Sequence, residues 1–190
     1  IHLENIYQEF SSGKQDIGAI RNFVKYVYFN ASSSDKRVKY VNLFGDASFD
    51  FKDRIQRNTN IVPIYQSANS FTDSEQSFAS DDFFGLMDDD EGRIDYYTEN
   101  GSWTSSIKGL DIAVGRMIAS STQQADELVN KVIEYHNIKS YGNWRNNVVL
   151  ISDDSDKASD ASLQLRQNTL ADKIATEKPF LNVEKILMDS

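Results

Sequence analysis

Short apolar runs along the chain each end in a glycine or in acidic residues. The runs cover residues 38–44, 111–114 and 147–151, and they lead into Gly45-Asp46, Gly115-Arg116 and Ser152-Asp153-Asp154. Continuous apolar runs are typical of strands buried in a parallel sheet, and open α/β sheets hold their sites at the carboxyl ends of such strands. The pattern therefore predicts the floor of a functional site where these strands end.

Amphipathic helices are predicted between the strands. Apolar residues recur at helical spacing in segments 16–29 and 159–176, and Ser121 with Gln124 fits a capping box at the start of a third helix. The predicted inner faces are Ala125, Leu128, Val129, Val132 and Tyr135 in the helix after Ser121, and Leu163, Leu170, Ala171 and Ile174 in the last helix.

Two further strands are predicted at residues 61–65 and 183–187, and Pro63 favours a sheet edge or a strand start for the first of them. From Asp111 onward, strands and helices alternate, which predicts parallel pairing with right-handed crossovers. The predicted fold class is therefore α/β, as a three-layer α/β/α arrangement with a mainly parallel sheet.

Residues 66–110 are the least regular part of the sequence. They contain an acidic run at 88–91 and an Asn100-Gly101 turn signal. An irregular excursion of this length is usually functional in a compact domain.

Composition narrows the possible functions. The 190 residues carry a net charge of -9, which argues against nonspecific nucleic-acid binding and against docking on an anionic membrane. The absence of cysteine excludes disulfides, thiolate metal sites and a cysteine nucleophile within these residues. No apolar stretch is long enough to span a membrane, and no signal peptide is visible. Because the chain opens at Ile1, we expect a segment of a larger precursor.

The candidate chemistry lies mainly in the acidic residues. Asp46 suits either a turn cap or, with Asp50, a cation site, and Asp81-Asp82 predicts a loop that folds over the sheet edge. The run at 88–91 lacks the spacing of an EF-hand, so it is either a solvated turn or a calcium site with Asp88 and Asp90 as candidate ligands.

The remaining candidates follow the later strands. Arg116 is interpreted as an ion-pair anchor or as a receptor for a substrate carboxylate. The adjacent Asp153 and Asp154 can raise one another's pKa, orient a histidine or hold a divalent ion. His2 and His136 lie near no nucleophile in the sequence, and no Gly-x-Ser-x-Gly elbow is present.

Several segments, taken together and in order, resemble the gingipain-type cysteine peptidases. They are residues 7–16, 42–50, 62–63, 80–85, 111–116, 144–147 and 152–154. Within that family the resemblance is greatest to the sortase of the type IX secretion system of Bacteroidetes.

The resemblance implies a caspase-like catalytic unit made of two α/β subdomains. Residues 1–140 would form the first, non-catalytic subdomain, and residues 141–190 would begin the second, whose catalytic histidine and cysteine would follow. Asp154, with Asp153 beside it, matches the position at which gingipains carry a glutamate that supports the catalytic histidine. The matching site wall comprises Asp46, Asp81, Asp82, Arg116 and Asp153. The family requires no cofactor for catalysis but binds structural Ca²⁺.

The implied function of the full protein is that of a cysteine endopeptidase or transpeptidase. It would cleave C-terminal sorting signals from exported cargo and attach the cargo to the cell surface, so we expect an exported location associated with the outer membrane. Its partners would be the catalytic segment, the cargo and other secretion components. The segment alone is expected to be inactive, since it has no thiol.

Two other hypotheses stay open at the level of sequence. One is a standalone α/β interaction module, with or without bound calcium. The other is a metal-dependent hydrolase, which would require Asp46, Asp81, Asp82 and Asp154 to converge on one ion.

Overall fold

The computed structural model describes residues 1–67, 77–92, 94, 96–99, 102–105, 109–154 and 161–188, with the backbone alone at 96–99, 102–105 and 161. The chain forms two compact units, Ile1–Asn130 and Lys131–Ser190. Sequence analysis predicts the division later, after residue 140.

Helices and strands alternate over much of the chain. The α-helices are α1 (Leu3–Ser11), α2 (Ile17–Phe29), α3 (Thr122–His136) and α4 (Ala161–Glu177). The strands are β1 (Tyr40–Phe44), β2 (Tyr65–Gln66), β3 (Ala79–Ser80), β4 (Tyr96–Glu99), β5 (Ser102–Ser105), β6 (Ala113–Met117), β7 (Asn147–Ser152) and β8 (Asn182–Leu187). Short 3₁₀ helices lie at Ser34–Lys36, Asp82–Gly85, Ile138–Ser140 and Asn143–Asn146.

The longest strand pairs are parallel. β1 pairs with β6 from Tyr40 opposite Ala113 to Phe44 opposite Met117, and β7 pairs with β8 along its whole length. β2 with β3 and β4 with β5 are antiparallel. The helices and the mostly parallel strands confirm the predicted α/β fold class.

In the first unit the core lies between α2, β1 and the 3₁₀ helix at Asp82–Gly85. Helix α2 begins where predicted, because the Asp16 side chain accepts the Gly18 N–H at 2.7 Å and caps the first turn. Phe84 is fully buried, and burying each such side chain stabilises the fold by roughly 1.5–3 kcal/mol. Gly85 is required here, because a Cβ would stand 2.6 Å from the Ile112 carbonyl oxygen.

Helix α1, for which the sequence analysis makes no prediction, precedes α2 and buries Ile6. One local expectation for the first unit is wrong. The strand predicted at 61–65 is reduced to Tyr65–Gln66. The reason is that the Ile61 and Val62 N–H groups donate to the Asp46 carbonyl, so they do not enter a ladder.

In the second unit α4 connects the parallel strands β7 and β8 and packs against both. Ala171 on α4 is fully buried, as predicted. Within the described residues β6 pairs in parallel with β1, and β7 pairs in parallel with β8. The Asn100-Gly101 turn lies outside the described residues.

The predicted inner faces of α3 and α4 are only partly covered. No residue of α3 is buried, and Val132 and Tyr135 are each 48% exposed. In α4, Leu163 and Leu170 are 52% and 46% exposed. Periodic apolar residues report that a helix has an apolar face, but they do not say which element covers it.

Candidate active-site edge of the sheet

The carboxyl ends of β1 and β6 coincide, because the two strands are parallel and in register. The pairing continues past the strands, since Gly45 N–H donates to the Met117 carbonyl and Asp46 N–H to the Ala119 carbonyl, each at 2.9 Å. Gly45 has a φ of 153°, and a Cβ there would stand 2.7 Å from a methyl of Val62. The chain therefore makes a tight exit from β1 that only glycine fits.

Arg116 organises this edge through five hydrogen bonds. Its guanidinium holds Asp81 in two bonds, from Nε at 2.8 Å and from Nη2 at 2.6 Å. Nη1 donates to the carbonyls of Gly45 at 2.9 Å and Val62 at 2.8 Å, and Nη2 also reaches the Pro63 carbonyl at 3.4 Å. We call Arg116 and these four partners the arginine hub.

The hub leaves Arg116 no free donor for a ligand. A guanidinium has five N–H groups, and each has an acceptor here. The side chains of Arg116 and Asp81 are only 9% and 21% exposed. Of the two interpretations from sequence, this is the geometry of an ion-pair anchor and not of a carboxylate receptor.

Asp46 and Asp50 shape the loop that leaves β1. Asp46 accepts the Thr59 hydroxyl at 2.6 Å through its side chain. Asp50, only 9% exposed, accepts the N–H groups of Arg54 at 2.5 Å and Ile55 at 2.6 Å. Both carboxylates are thus satisfied by the loop itself, and they do not converge on a cation.

Asp82 stands apart from the hub. It begins the 3₁₀ helix next to Asp81, its backbone N–H donates to the Ser80 hydroxyl at 3.1 Å, and the residue is exposed. The structure therefore brings Asp81 and Arg116 together and leaves Asp82 at the surface.

The acidic run at 88–91 is held by α2. Arg21 donates to the carbonyls of Leu86 and Asp88, and Lys25 pairs with Asp89 at 2.7 Å. The hydrogen bond from Lys25 lowers the pKa of the Asp89 carboxyl. Glu91 is 7% exposed and accepts the Asp88 N–H at 3.2 Å.

This donor set does not fit a calcium ion. Calcium takes six to eight oxygen ligands, and within the described ranges no three acidic or histidine side chains could hold one metal ion. Asp88 and Asp90 both interact with other groups of the protein. Structural calcium in this chain remains a prediction without a ligand set.

The second unit places one of the two carboxylates after β7, Asp153, at a cleft. Ser152 at the end of β7 is 8% exposed, while Asp153 is exposed and Asp154 is half-buried. Asp154 N–H donates to Asp153 Oδ1 at 3.0 Å. The adjoining cleft of about 420 Å³ is lined by Ile151, Ser152, Asp153, Leu163, Arg166, Gln167 and Leu170.

The two histidines contribute nothing to either set of carboxylates. His2 is exposed at the start of α1. His136 is exposed near the end of α3, and its Nδ1 lies 2.8 Å from the Val132 carbonyl of its own helix.

Sequence reasoning missed the backbone half of the hub. The carbonyls of Gly45, Val62 and Pro63 hold Arg116 as firmly as Asp81 does, and carbonyls carry no signature in a sequence. The one available signal was Pro63, which weakened the assignment of a strand there.

In the part of the chain that the structure describes, no helix is long and apolar enough to cross a membrane.

Comparison with known proteins gives a family and no individual relative. No curated protein and no solved structure matches the chain. The family model of peptidase family C25 matches residues 1–190. The chain therefore belongs to peptidase family C25, the gingipain family of cysteine peptidases.

Proposed function

We propose that this chain is part of a surface-associated cysteine endopeptidase and transpeptidase. The full protein removes C-terminal sorting signals from cargo of the type IX secretion system and attaches the cargo to the cell surface of the producing bacterium. Its partners are the cargo, the segment that carries the nucleophile and other secretion components.

The convergence of the segments that carry the sortase resemblance supports this proposal. Four segments far apart in the sequence, at 42–50, 62–63, 80–85 and 111–116, each contribute a group to the arginine hub. A shared structural centre explains why these segments occur together. It also places them at the carboxyl edge of a parallel pair, where α/β proteins hold their sites.

The chemistry is acyl transfer through a thiolate. The thiolate attacks the carbonyl before the sorting signal, a thioester forms, and the signal leaves as an amine that takes a proton. An acceptor amine or water then attacks the thioester, which releases the cargo and returns the thiol. Because these 190 residues contain no cysteine, the nucleophile lies outside them, and this segment alone is inactive.

In this scheme Asp154 orients the catalytic histidine. It lies two residues after the end of the parallel strand β7 and is half-buried, and the family resemblance matches its position to that of a histidine-supporting acid. The hub residues act in this scheme as structural support for the first unit.

The test uses the full-length gene in a strain that lacks it, with cargo processing followed by mass spectrometry of cargo C-termini. Restoring the gene should remove the sorting signal, and Asp154→Asn should slow processing by roughly 10²–10⁴-fold, as expected for loss of a histidine-orienting acid. Asp153→Asn is the matched control, with an effect of less than about tenfold.

Two results would contradict the proposal at different levels. Normal cargo processing in the strain without the gene would refute the sorting function. Full activity of the Asp154→Asn protein would refute only the role of Asp154. The coding sequence after Ser190 adds a direct check, since a histidine and a cysteine should each follow an apolar strand there.

A further inference from the structure

The loop that follows β1 presents an unusual surface. Phe49, Phe51 and Ile55 are 73%, 54% and 49% exposed, and they alternate with exposed Lys52, Arg54 and Arg57. We call residues 48–57 the basic-aromatic loop. It begins beside Asp46, at the carboxyl edge of the β1 and β6 pair.

The loop is held in one shape by its own hydrogen bonds. Asp50 caps the turn at Arg54 and Ile55, and its carbonyl accepts the Asn58 side-chain amide at 2.7 Å. At the other end Asn60 accepts the Ser48 N–H at 3.1 Å and Gln66 donates to the Ser48 carbonyl at 3.2 Å. The apolar side chains are therefore exposed on an ordered loop.

The backbone of the loop is also strained at two positions. Asp53 and Arg57 have φ values of 52° and 63°, which residues other than glycine rarely adopt. Strain of this kind persists where surrounding bonds enforce it, and it occurs most often at ligand clamps and active sites. Order and strain together indicate a surface that is preorganised for binding.

The charge of the loop is opposite to that of the chain. Its exposed charges are three cations and the single carboxylate of Asp53, while the chain has a net charge of -9. Lys52 lies 5.4 Å above the Phe51 ring, and none of the three cations forms an ion pair with a described residue. Unpaired cations beside exposed aromatic rings favour an anionic partner with apolar groups.

An apolar groove adjoins the loop. Its volume is about 380 Å³, and its apolar lining includes Phe51, Ile17, Pro63 and Ile64. Gln15, Asp16 and Gln66 complete the lining. This volume is large enough for an apolar side chain of a bound peptide.

We propose that the basic-aromatic loop binds an acidic segment of a polypeptide that also carries apolar side chains. We identify that polypeptide as the exported cargo, and this identification rests on the proposed function. Aromatic and arginine side chains are the residues most enriched at the energetic centres of protein interfaces. A membrane is the poorer partner, because the three exposed cations of the loop are fewer than the clusters of about four to eight that bind anionic lipid.

Fluorescence anisotropy with a labelled peptide of alternating Glu and Leu tests the proposal on the 190-residue chain. We expect saturable binding that weakens about tenfold or more when Gln replaces Glu in the peptide. The loop variant K52S/R54S/R57N should weaken binding to a similar extent, as should F49S, since aromatic anchors dominate such interfaces. Asn is chosen at position 57 because it tolerates a positive φ.

The matched control removes three exposed lysines elsewhere, as K14S/K36S/K131S. It changes the net charge as much as the loop variant does, and it should bind the Glu peptide like the unchanged chain. Circular dichroism confirms that each variant is folded. Equal weakening by the control would refute the proposal, because the attraction would then be nonspecific.

Two more outcomes would overturn it. One is no binding of the Glu peptide by the folded chain. The other is loop-dependent binding to vesicles of anionic phospholipid without peptide binding, which would make the loop a membrane contact. The peptide-binding assay requires no catalysis, so its result is independent of the cargo-processing assay in cells. Either the binding proposal or the sorting proposal can therefore fail while the other holds.

Discussion

The two strand ends that carry most of the polar candidates differ in how fully their polar groups are satisfied. At the end of β6 the arginine hub joins Arg116 to Asp81 and three carbonyls, and the ion pair is largely buried. At the end of β7, Asp153 is exposed and lines an open cleft, and Asp154 is half-buried. The first arrangement is closed, whereas the second leaves carboxylates available.

The difference distinguishes side chains that stabilise the fold from side chains that are free to bind a partner. A charged group whose hydrogen bonds are all made within the fold stabilises the local structure, and it cannot contact a substrate without breaking them. A carboxylate at the edge of a cleft keeps acceptor sites free for a histidine or a ligand. The hub is therefore a structural centre of the first unit, whereas the carboxylates after β7 in the second unit keep acceptor sites available for a partner.

The largest expected effect comes from opening the hub. We expect Arg116→Ala to destabilise the chain by about 2–4 kcal/mol, because it removes five hydrogen bonds and leaves the partly exposed Asp81 carboxylate without its partner. Urea unfolding followed by circular dichroism measures this loss. The control Arg166→Ala removes an exposed arginine from the cleft in the second unit and should change stability by less than about 0.5 kcal/mol. Equal losses in the two variants would remove the distinction between the strand ends.

A second substitution tests the packing beneath the hub. Gly85→Ala places a Cβ 2.6 Å from the Ile112 carbonyl oxygen, and overpacking of this kind costs about 1–3 kcal/mol. Gly115→Ala is the matched control in β6, since nothing lies within 4 Å of a Cβ there. Thermal melts of the two variants should differ clearly. A stable Gly85→Ala protein would mean that the 3₁₀ helix can move away from β6.

The carboxylates after β7 should matter little to stability. We expect Asp154→Ala and Asp153→Ala each to change the free energy of unfolding by less than about 0.5 kcal/mol, because no buried partner depends on their side chains. The same urea titration measures both. A loss comparable to that of Arg116→Ala would show that this end is also closed and would contradict the comparison.

The smallest expected effect concerns Tyr7 in α1. Burial, with the nearby charges of Glu4 and Asp16, raises the pKa of Tyr7 to about 12. Its hydroxyl is buried and has no partner among the described residues, so Tyr7→Phe should change stability at neutral pH by less than about 0.5 kcal/mol.

Alkaline pH should distinguish the two proteins. The folded chain holds the phenol proton more tightly than the unfolded chain, whose tyrosine titrates near 10. The contribution of Tyr7 to stability is therefore complete below about pH 10 and is lost as pH rises toward the folded value. Urea midpoints between pH 9 and pH 12 should fall less steeply for Tyr7→Phe. Identical slopes would mean that the phenol is solvated.

Sequence reasoning found the elements whose signal is local. The helical spacing of apolar residues from 16 to 29 placed α2, and the apolar run at 147–151 placed β7. The capping bond from Gln124 N–H to the Ser121 hydroxyl forms at 3.2 Å, although the Gln124 side chain turns to Ser120. These features depend on residues within one turn or one strand, so the sequence pattern contains them.

Features set by distant partners were not predictable in the same way. The loss of the strand at 61–64 depends on the Asp46 carbonyl, and the fate of Arg116 depends on carbonyls more than fifty positions away. The predicted burial of the apolar faces of α3 and α4 is incomplete for a related reason. An apolar stripe indicates that a helix face prefers burial, but it does not indicate which element covers that face. The sequence suggested that Arg116 is an ion-pair anchor, but only the structure showed that each of its N–H groups has an acceptor within the protein.

The hub also has a consequence for folding kinetics. Its bonds join positions 35 to 71 residues apart along the chain, so each requires the closure of a long loop. The entropy cost of closing such a loop must be met before the contact can stabilise the chain, so we expect contacts of this kind to form late in folding. We therefore expect the guanidinium to close a unit that has already assembled, so that its loss accelerates unfolding more than it slows folding. On this expectation the hub acts on the lifetime of the folded chain and not on the speed at which it forms.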